Sequence, residues 1–153
     1  MTLTISTPVP ATQSVQLQTV LKMIEDWSNY EIAAFSAGVT EDYTHEYLPA
    51  NAGLPTHGKE KFIERVEFIK TVMTMQVEVK DIIETPGVVI LYRHQTGIQG
   101  KTKGGNVYDP EVLFFVYTAE QSDGTIKVTK SKEYVDTVRF AKFAEVVKQE
   151  LTA

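Results

Sequence analysis

The stretch Gly58–Lys80, GKEKFIERVEFIKTVMTMQVEVK, changes its hydrophobic period in the middle, and that change decides the fold. Phe62, Val66, Ile69 and Met73 recur at spacings of three and four, one stripe of a helix that Ile63 broadens and Lys and Glu residues otherwise cover. From Met75 the period is two: Met75, Val77 and Val79 alternate with Gln76, Glu78 and Lys80, as in a half-buried strand. Upstream, Leu17, Val20, Leu21, Ile24 and Trp27 share one face of a helix starting near Ser14, a residue suited to capping. A second helical piece, Glu31–Ala37, stops at Gly38, and Val39–Pro49 is a strand with Tyr43, His45 and Tyr47 on one side, followed by a loop, Ala50–His57. Downstream, Pro86-Gly87 turns into a β-branched run, Val88–Thr96. Gly104-Gly105-Asn106 is a hairpin connection into Val107–Ala119, and Ser122-Asp123-Gly124 turns into Ile126–Val138. Gly97 and Gly100 read as loop glycines. Phe140, Phe143, Ala144, Val147 and Leu151 return to helical spacing.

Helices first, consecutive antiparallel strands next and a closing helix make an α+β protein. One curved antiparallel sheet packed on helices makes a cone, whose concave side holds a pocket and whose convex side must be polar or covered. The expected organisation is a flexible Thr/Ser/Pro-rich tail over residues 1–13 and a single domain over 14–153. At 153 residues such a chain buries roughly 70% of its unfolded surface, enough to enclose a ligand.

Composition narrows the function. With 42% hydrophobic and 23% charged residues the chain is an ordinary globular one rather than a disordered or low-complexity one. A net charge of −5 argues against sequence-independent binding to nucleic acid, which needs a basic footprint. Zero cysteines exclude disulfides, thiolate metal sites and a cysteine nucleophile, and suit a reducing compartment. No apolar run approaches the ~20 residues that cross a bilayer, and the first residues lack the pattern of a secretory signal, so the expectation is a cytoplasmic protein without a membrane partner. Three scattered histidines without ligand spacing point to no metal, and no nucleotide fingerprint points to a cofactor.

Three segments, Val39–Pro49 (VTEDYTHEYLP), Gly53–Phe62 (GLPTHGKEKF) and Lys132–Thr137 (KEYVDT), together with the element order, resemble the NTF2-like superfamily and within it the SnoaL-like group of polyketide cyclases, limonene epoxide hydrolase and fungal isomerases. Glu111–Phe115 (EVLFF) resembles the fungal members of that group. The resemblance covers roughly residues 14–148 and implies the cone fold; it is weak evidence for a reaction, because this fold hosts many. In the epoxide hydrolase an acidic residue of the last strand helps activate water, and Glu133 stands at the matching place. The Arg and Asp that assist it there match Arg93 and Gln95, and its water-holding Tyr and Asn match His45 and Tyr47. Gln95 cannot ionise, so the water-activating set is not reproduced.

What remains is acid–base chemistry on a hydrophobic molecule. If Glu133 faces the pocket, strand parity turns Thr129, Ser131, Val135 and Thr137 inward and Lys130, Lys132, Tyr134 and Asp136 outward. Burial among apolar groups would raise its pKa toward neutrality; the alternative is a structural ion pair with Arg93 or a lysine. His45, which shares a face with Tyr43 and Tyr47, is the candidate counterpart or substrate anchor. Glu111 is either a third catalytic carboxylate or an edge-protecting charge, because Pro110 can shift the alternation by one. Tyr47 and Arg93 are candidate substrate-binding groups, as is His94, which competes with its neighbours for the inward side. The resemblance adds Trp27 and Tyr30 at the cavity mouth and implies a homodimer through Tyr92 and Tyr134. The expected function is a cofactor-independent isomerase, cyclase or dehydratase acting on a polyketide- or terpenoid-like metabolite. Its rivals are a non-catalytic member that binds a hydrophobic ligand or protein partner in the same cone, and an orphan stress-type protein with a vestigial pocket.

Overall fold

The computed structural model describes residues 3–152, apart from the side chains of residues 94–99. The helices are α1 (Val15–Ser28), α2 (Ile32–Gly38), α3 (Lys59–Val72) and α4 (Thr137–Thr152). The strands are β1 (Leu3–Ile5), β2 (Val39–Leu48), β3 (His57–Gly58), β4 (Met73–Thr85), β5 (Val88–Thr102), β6 (Val107–Tyr108), β7 (Val112–Glu120) and β8 (Ile126–Tyr134). Among the described residues they form one eight-stranded sheet in the order β1-β4-β5-β7-β8-β2-β3, with β6 on β5. Most neighbours are antiparallel, whereas β2 runs parallel to β8 and β1 parallel to β4. The period change within Gly58–Lys80 is realised without a loop, since α3 ends at Val72 and β4 begins at Met73.

The α+β cone expected from the sequence is present. Ser14 caps α1, its hydroxyl accepting from the Leu17 N–H at 2.9 Å. Leu17, Val20, Leu21, Met23 and Ile24 of α1 then bury against Val77 and Val79 of β4, Val89 and Leu91 of β5, and Val116 and Val128. Each side chain so removed from water contributes about 1.5–3 kcal/mol. Phe35, Tyr43 and Phe62 form an aromatic cluster with ring centroids 5.4–5.9 Å apart, joining α2, β2 and α3 at one end of the core.

Five details differ from the sequence reading. In the expected tail, Leu3–Ile5 forms a strand in register with Val77–Val79. β5 continues through Gly97 and Gly100, and a side chain at Gly100 would collide with the Met73 thioether and crowd the Tyr108 carbonyl. Pro110 splits the strand expected over Val107–Ala119 into β6 and β7, as the missing N–H requires. On β8 the register shifts opposite Tyr117/Thr118, so Val128 rather than Thr129 is buried with Ser131 and parity holds only from Ser131 onward. Finally, the last strand stops at Tyr134 and Thr137 opens α4, because Asp136 accepts from the N–H groups of Val138 and Arg139, both at 3.0 Å.

Candidate active site

The pairing of β8 with β2 and β7 assembles the site. Glu133 lies opposite Tyr47 on one side and Phe114 on the other, and Ser131 lies opposite His45. The inward parity of Ser131, Glu133 and Val135 agrees with the sequence reading, with Tyr134 and Asp136 outside. Glu133 forms the polar floor of a cavity of about 320 Å³. The sheet side supplies Tyr47, Met73, Met75, Tyr108 and Val135; α3 supplies Phe62, Arg65, Ile69 and Val72; α4 supplies Phe140, Phe143, Val147, Lys148 and Leu151. A small inner chamber behind the floor is bounded by Trp27, Phe35, Tyr43, His45, Phe114 and Glu133.

The two oxygens of Glu133 meet different nitrogen donors. Arg93, fully buried, donates from one terminal nitrogen to Oε1 at 3.1 Å. His45 Nε2 stands 3.5 Å from Oε2. On its other nitrogen, His45 Nδ1 meets Ser131 Oγ at 2.7 Å, and that hydroxyl meets the Tyr43 hydroxyl at 2.6 Å. With Glu133 ionised, the consistent proton order has Tyr43 donating to Ser131 and Ser131 donating to Nδ1, which leaves the Nε2 proton aimed at the carboxylate. Arg93 lies over the Phe114 ring at 4.3 Å from its centroid and near Trp27 at 5.5 Å. Its Nε and Nη1 and the His45 Nε2 are buried without a hydrogen-bond partner, a costly condition that marks the site as one built for more than packing.

The electrostatics reverse one expectation. Burial does push the Glu133 pKa upward, but the His45 and Arg93 interactions, with a smaller contribution from Arg65, outweigh it, and the carboxyl is held below its ordinary range. It is therefore a carboxylate at neutral pH. Its partner shows the cost: burial brings Arg93 down to about 10 despite the neighbouring negative charge, and it remains a cation. The phenols of Tyr43, Tyr47 and Tyr108 are all pushed above their ordinary range, chiefly by burial, and stay protonated donors.

The remaining sequence-predicted residues divide. Tyr47 and Trp27 line the cavity. Glu111 does not: Val112, Phe114 and Val116 take the inward parity of β7, which leaves Glu111 exposed on the opposite face in a shallow groove with Tyr92, Leu113 and Tyr134. Tyr30 is not in the cavity wall either; it takes a left-handed conformation (φ 59°) between α1 and α2, and its hydroxyl donates to the Met73 carbonyl at 2.8 Å, fastening the helix end to β4. The side chain of His94 lies outside the described residues. Conversely, Arg65, Tyr108 and Phe140 line the cavity without having been singled out. Arg65 carried a legible signal, since it sits three residues after Phe62 and four before Ile69, on the buried edge of the α3 stripe. Among the described residues no cluster of three or more His, Cys, Asp or Glu is placed to hold a metal, and no helix is long and apolar enough to cross a membrane.

A curved sheet closed by helices over an apolar cavity is the NTF2-like fold, and comparison with solved structures agrees. The chain superimposes with a TM-score of 0.72 on the BvnE pinacolase from Penicillium brevicompactum, at 14% identity, covering 97% of this chain and 99% of that one. An NTF2-like protein from Burkholderia xenovorans gives a TM-score of 0.67 at 16% identity, covering 86% and 96%. In sequence, the chain is 24% identical over 132 residues to a monooxygenase of Claviceps purpurea, spanning 84% of this chain and 80% of that one. No protein-family model matches.

Proposed function

We propose that the protein is a cofactor-independent isomerase, cyclase or dehydratase of the SnoaL-like kind, acting by acid–base chemistry on a hydrophobic polyketide- or terpenoid-like metabolite in the cytoplasm. The observation that carries the reading is a single ionised carboxylate, Glu133, at the floor of a largely apolar cavity and backed by Arg93 and His45. A carboxylate held below its ordinary pKa acts as base rather than acid, and a weak one, which selects substrates whose C–H is already acidified by a neighbouring carbonyl. Glu133 takes the proton from carbon and returns it to the substrate or exchanges it with solvent, while His45, its Nε2 proton aimed at Oε2 and its tautomer set by Ser131 and Tyr43, steadies the carboxylate. Tyr47 and Tyr108, protonated and facing the cavity, are the donors available to a developing enolate oxygen.

The test is deuterium exchange at the activated methylene of 2-tetralone in heavy water, followed by NMR. The wild type accelerates the exchange, and Glu133→Gln loses on the order of 100-fold or more while still binding the ketone. Equal exchange in wild type and variant ends the acid–base reading; binding without exchange in both leaves a ligand-binding protein. The likeness to the Claviceps purpurea monooxygenase favours a second reading, in which the same deprotonated carbon is oxidised by dioxygen. Oxygen consumption separates the two.

The outer face of the sheet, where Leu113 is 42% and Tyr134 49% exposed, is the contact of a homodimer in this proposal. Light scattering at micromolar concentration gives twice the 17.2 kDa chain mass, and Tyr134→Lys returns it to the monomer value; a wild-type monomer overturns the dimer.

A further inference from the structure

The floor of the cavity is electrically closed, because Glu133 is matched by Arg93 and His45. The α3 wall is not. Arg65, half-buried, holds its guanidinium carbon 5.4 Å from the Tyr47 ring centroid and 5.6 Å from that of Phe140. Among the described residues no carboxylate lies within ion-pair distance of it. Lys148 of α4, exposed, lines the same cavity. A chain of net charge −5 thus presents to this cavity two cations that have no ion-pair partner, Arg65 lying only in the longer-range field of Glu133.

Geometry narrows what would satisfy them. A guanidinium lodged between two aromatic rings is restricted in orientation before any ligand arrives, and its planar fork suits a carboxylate, which it can meet with two parallel hydrogen bonds. Half-buried and with only the Glu133 carboxylate, beyond ion-pair distance and already paired with Arg93, in its field, Arg65 gains its first direct ionic partner when a carboxylate arrives. The cavity volume of about 320 Å³ and its Phe140, Ile69 and Val147 walls suit a fused-ring body.

We infer that the cavity accepts an aromatic carboxylic acid, its carboxylate on Arg65 and its rings along the α3–α4 walls. This rests on the acid–base reading only for what happens to the ligand afterwards, since Arg65 and Glu133 face one cavity and an anion fixed at the first orients the ring body relative to the second.

The experiment compares 2-naphthoate with 2-naphthamide, the same shape without the charge, by calorimetric titration of the full chain. The wild type binds the naphthoate at least tenfold more tightly, and Arg65→Gln reduces that preference to less than threefold while leaving naphthamide affinity within a factor of two. Arg65→Lys keeps part of the preference, which covers the case in which Arg65→Gln fails to fold. A wild type that binds both equally, prefers the amide or binds neither at millimolar concentration overturns the proposal, as does a preference that survives Arg65→Gln. Because the readout is binding, it is independent of the Glu133→Gln exchange experiment; either result can fail without the other.

Discussion

Helices α1 and α4 have similar sequence patterns and opposite situations. Both carry an apolar stripe at helical spacing, yet α1 contains seven buried residues and α4 none. The difference is what lies behind each stripe. α1 faces the packed side of the cone, against β8, β4 and β5, whereas the stripe of α4 faces the cavity. A side chain over a void keeps contacts on one side only, so α4 is attached through Phe143 and Val147, half-buried against the core, and at its margins. Tyr108 stacks on Phe143 at 4.7 Å, and Glu150 accepts from the Thr102 hydroxyl at 2.6 Å and from the Asn106 amide at 2.8 Å. Apolar periodicity records that a face avoids water; whether it meets a core or a ligand cavity is decided elsewhere.

That contrast can be broken by substitution. The largest effect is expected on the packed side: Ile24→Ala should cost about 2–5 kcal/mol by chemical denaturation, as a fully buried aliphatic does. On the hollow side, Val147→Ala should cost under about 1 kcal/mol, because much of its surface already borders empty space, while weakening 2-naphthamide binding severalfold. Equal costs at the two positions would mean that α4 is packed and the cavity is not a cavity.

The smallest effect concerns the latch. The Thr102 and Asn106 hydrogen bonds hold the Glu150 carboxyl below its ordinary pKa. A depressed pKa means that the bond contributes above the ordinary value and is lost as pH falls through the lowered one. Acidification through the lowered Glu150 pKa should therefore speed amide hydrogen exchange in the last turns of α4 before the sheet is affected, and Glu150→Gln should abolish this pH dependence without moving the melting midpoint. An unchanged exchange pattern in the variant would show that the latch does not hold the helix.

Much of the architecture was legible because local chemistry decided it. The period change in Gly58–Lys80, the Ser14 cap and the Pro86-Gly87 turn each act within a few residues of themselves, and all three stand where expected. Misreadings arose where a single residue shifts a register. Glu111 falls outside because Val112, Phe114 and Val116 take the inward positions of β7, and the extra residue at Thr129 reversed the inward set on the first half of β8. Arg65 escaped notice because a cation in a Lys- and Glu-rich helix reads as solvated until an opposite wall, here Phe140 from the far end of the chain, is brought against it.

The sequence by itself determined that a carboxylate stands on the last strand, on the face it shares with Ser131 and Val135, since alternation along a strand needs no partner. Only the tertiary structure decided its charge. Arg93 lies forty positions earlier in the chain and His45, seated on Ser131, comes from β2, and it is their field inside a low-dielectric site that outweighs the cost of burial. Ionisation depends on neighbours in space, and those neighbours exist only once the strands have paired.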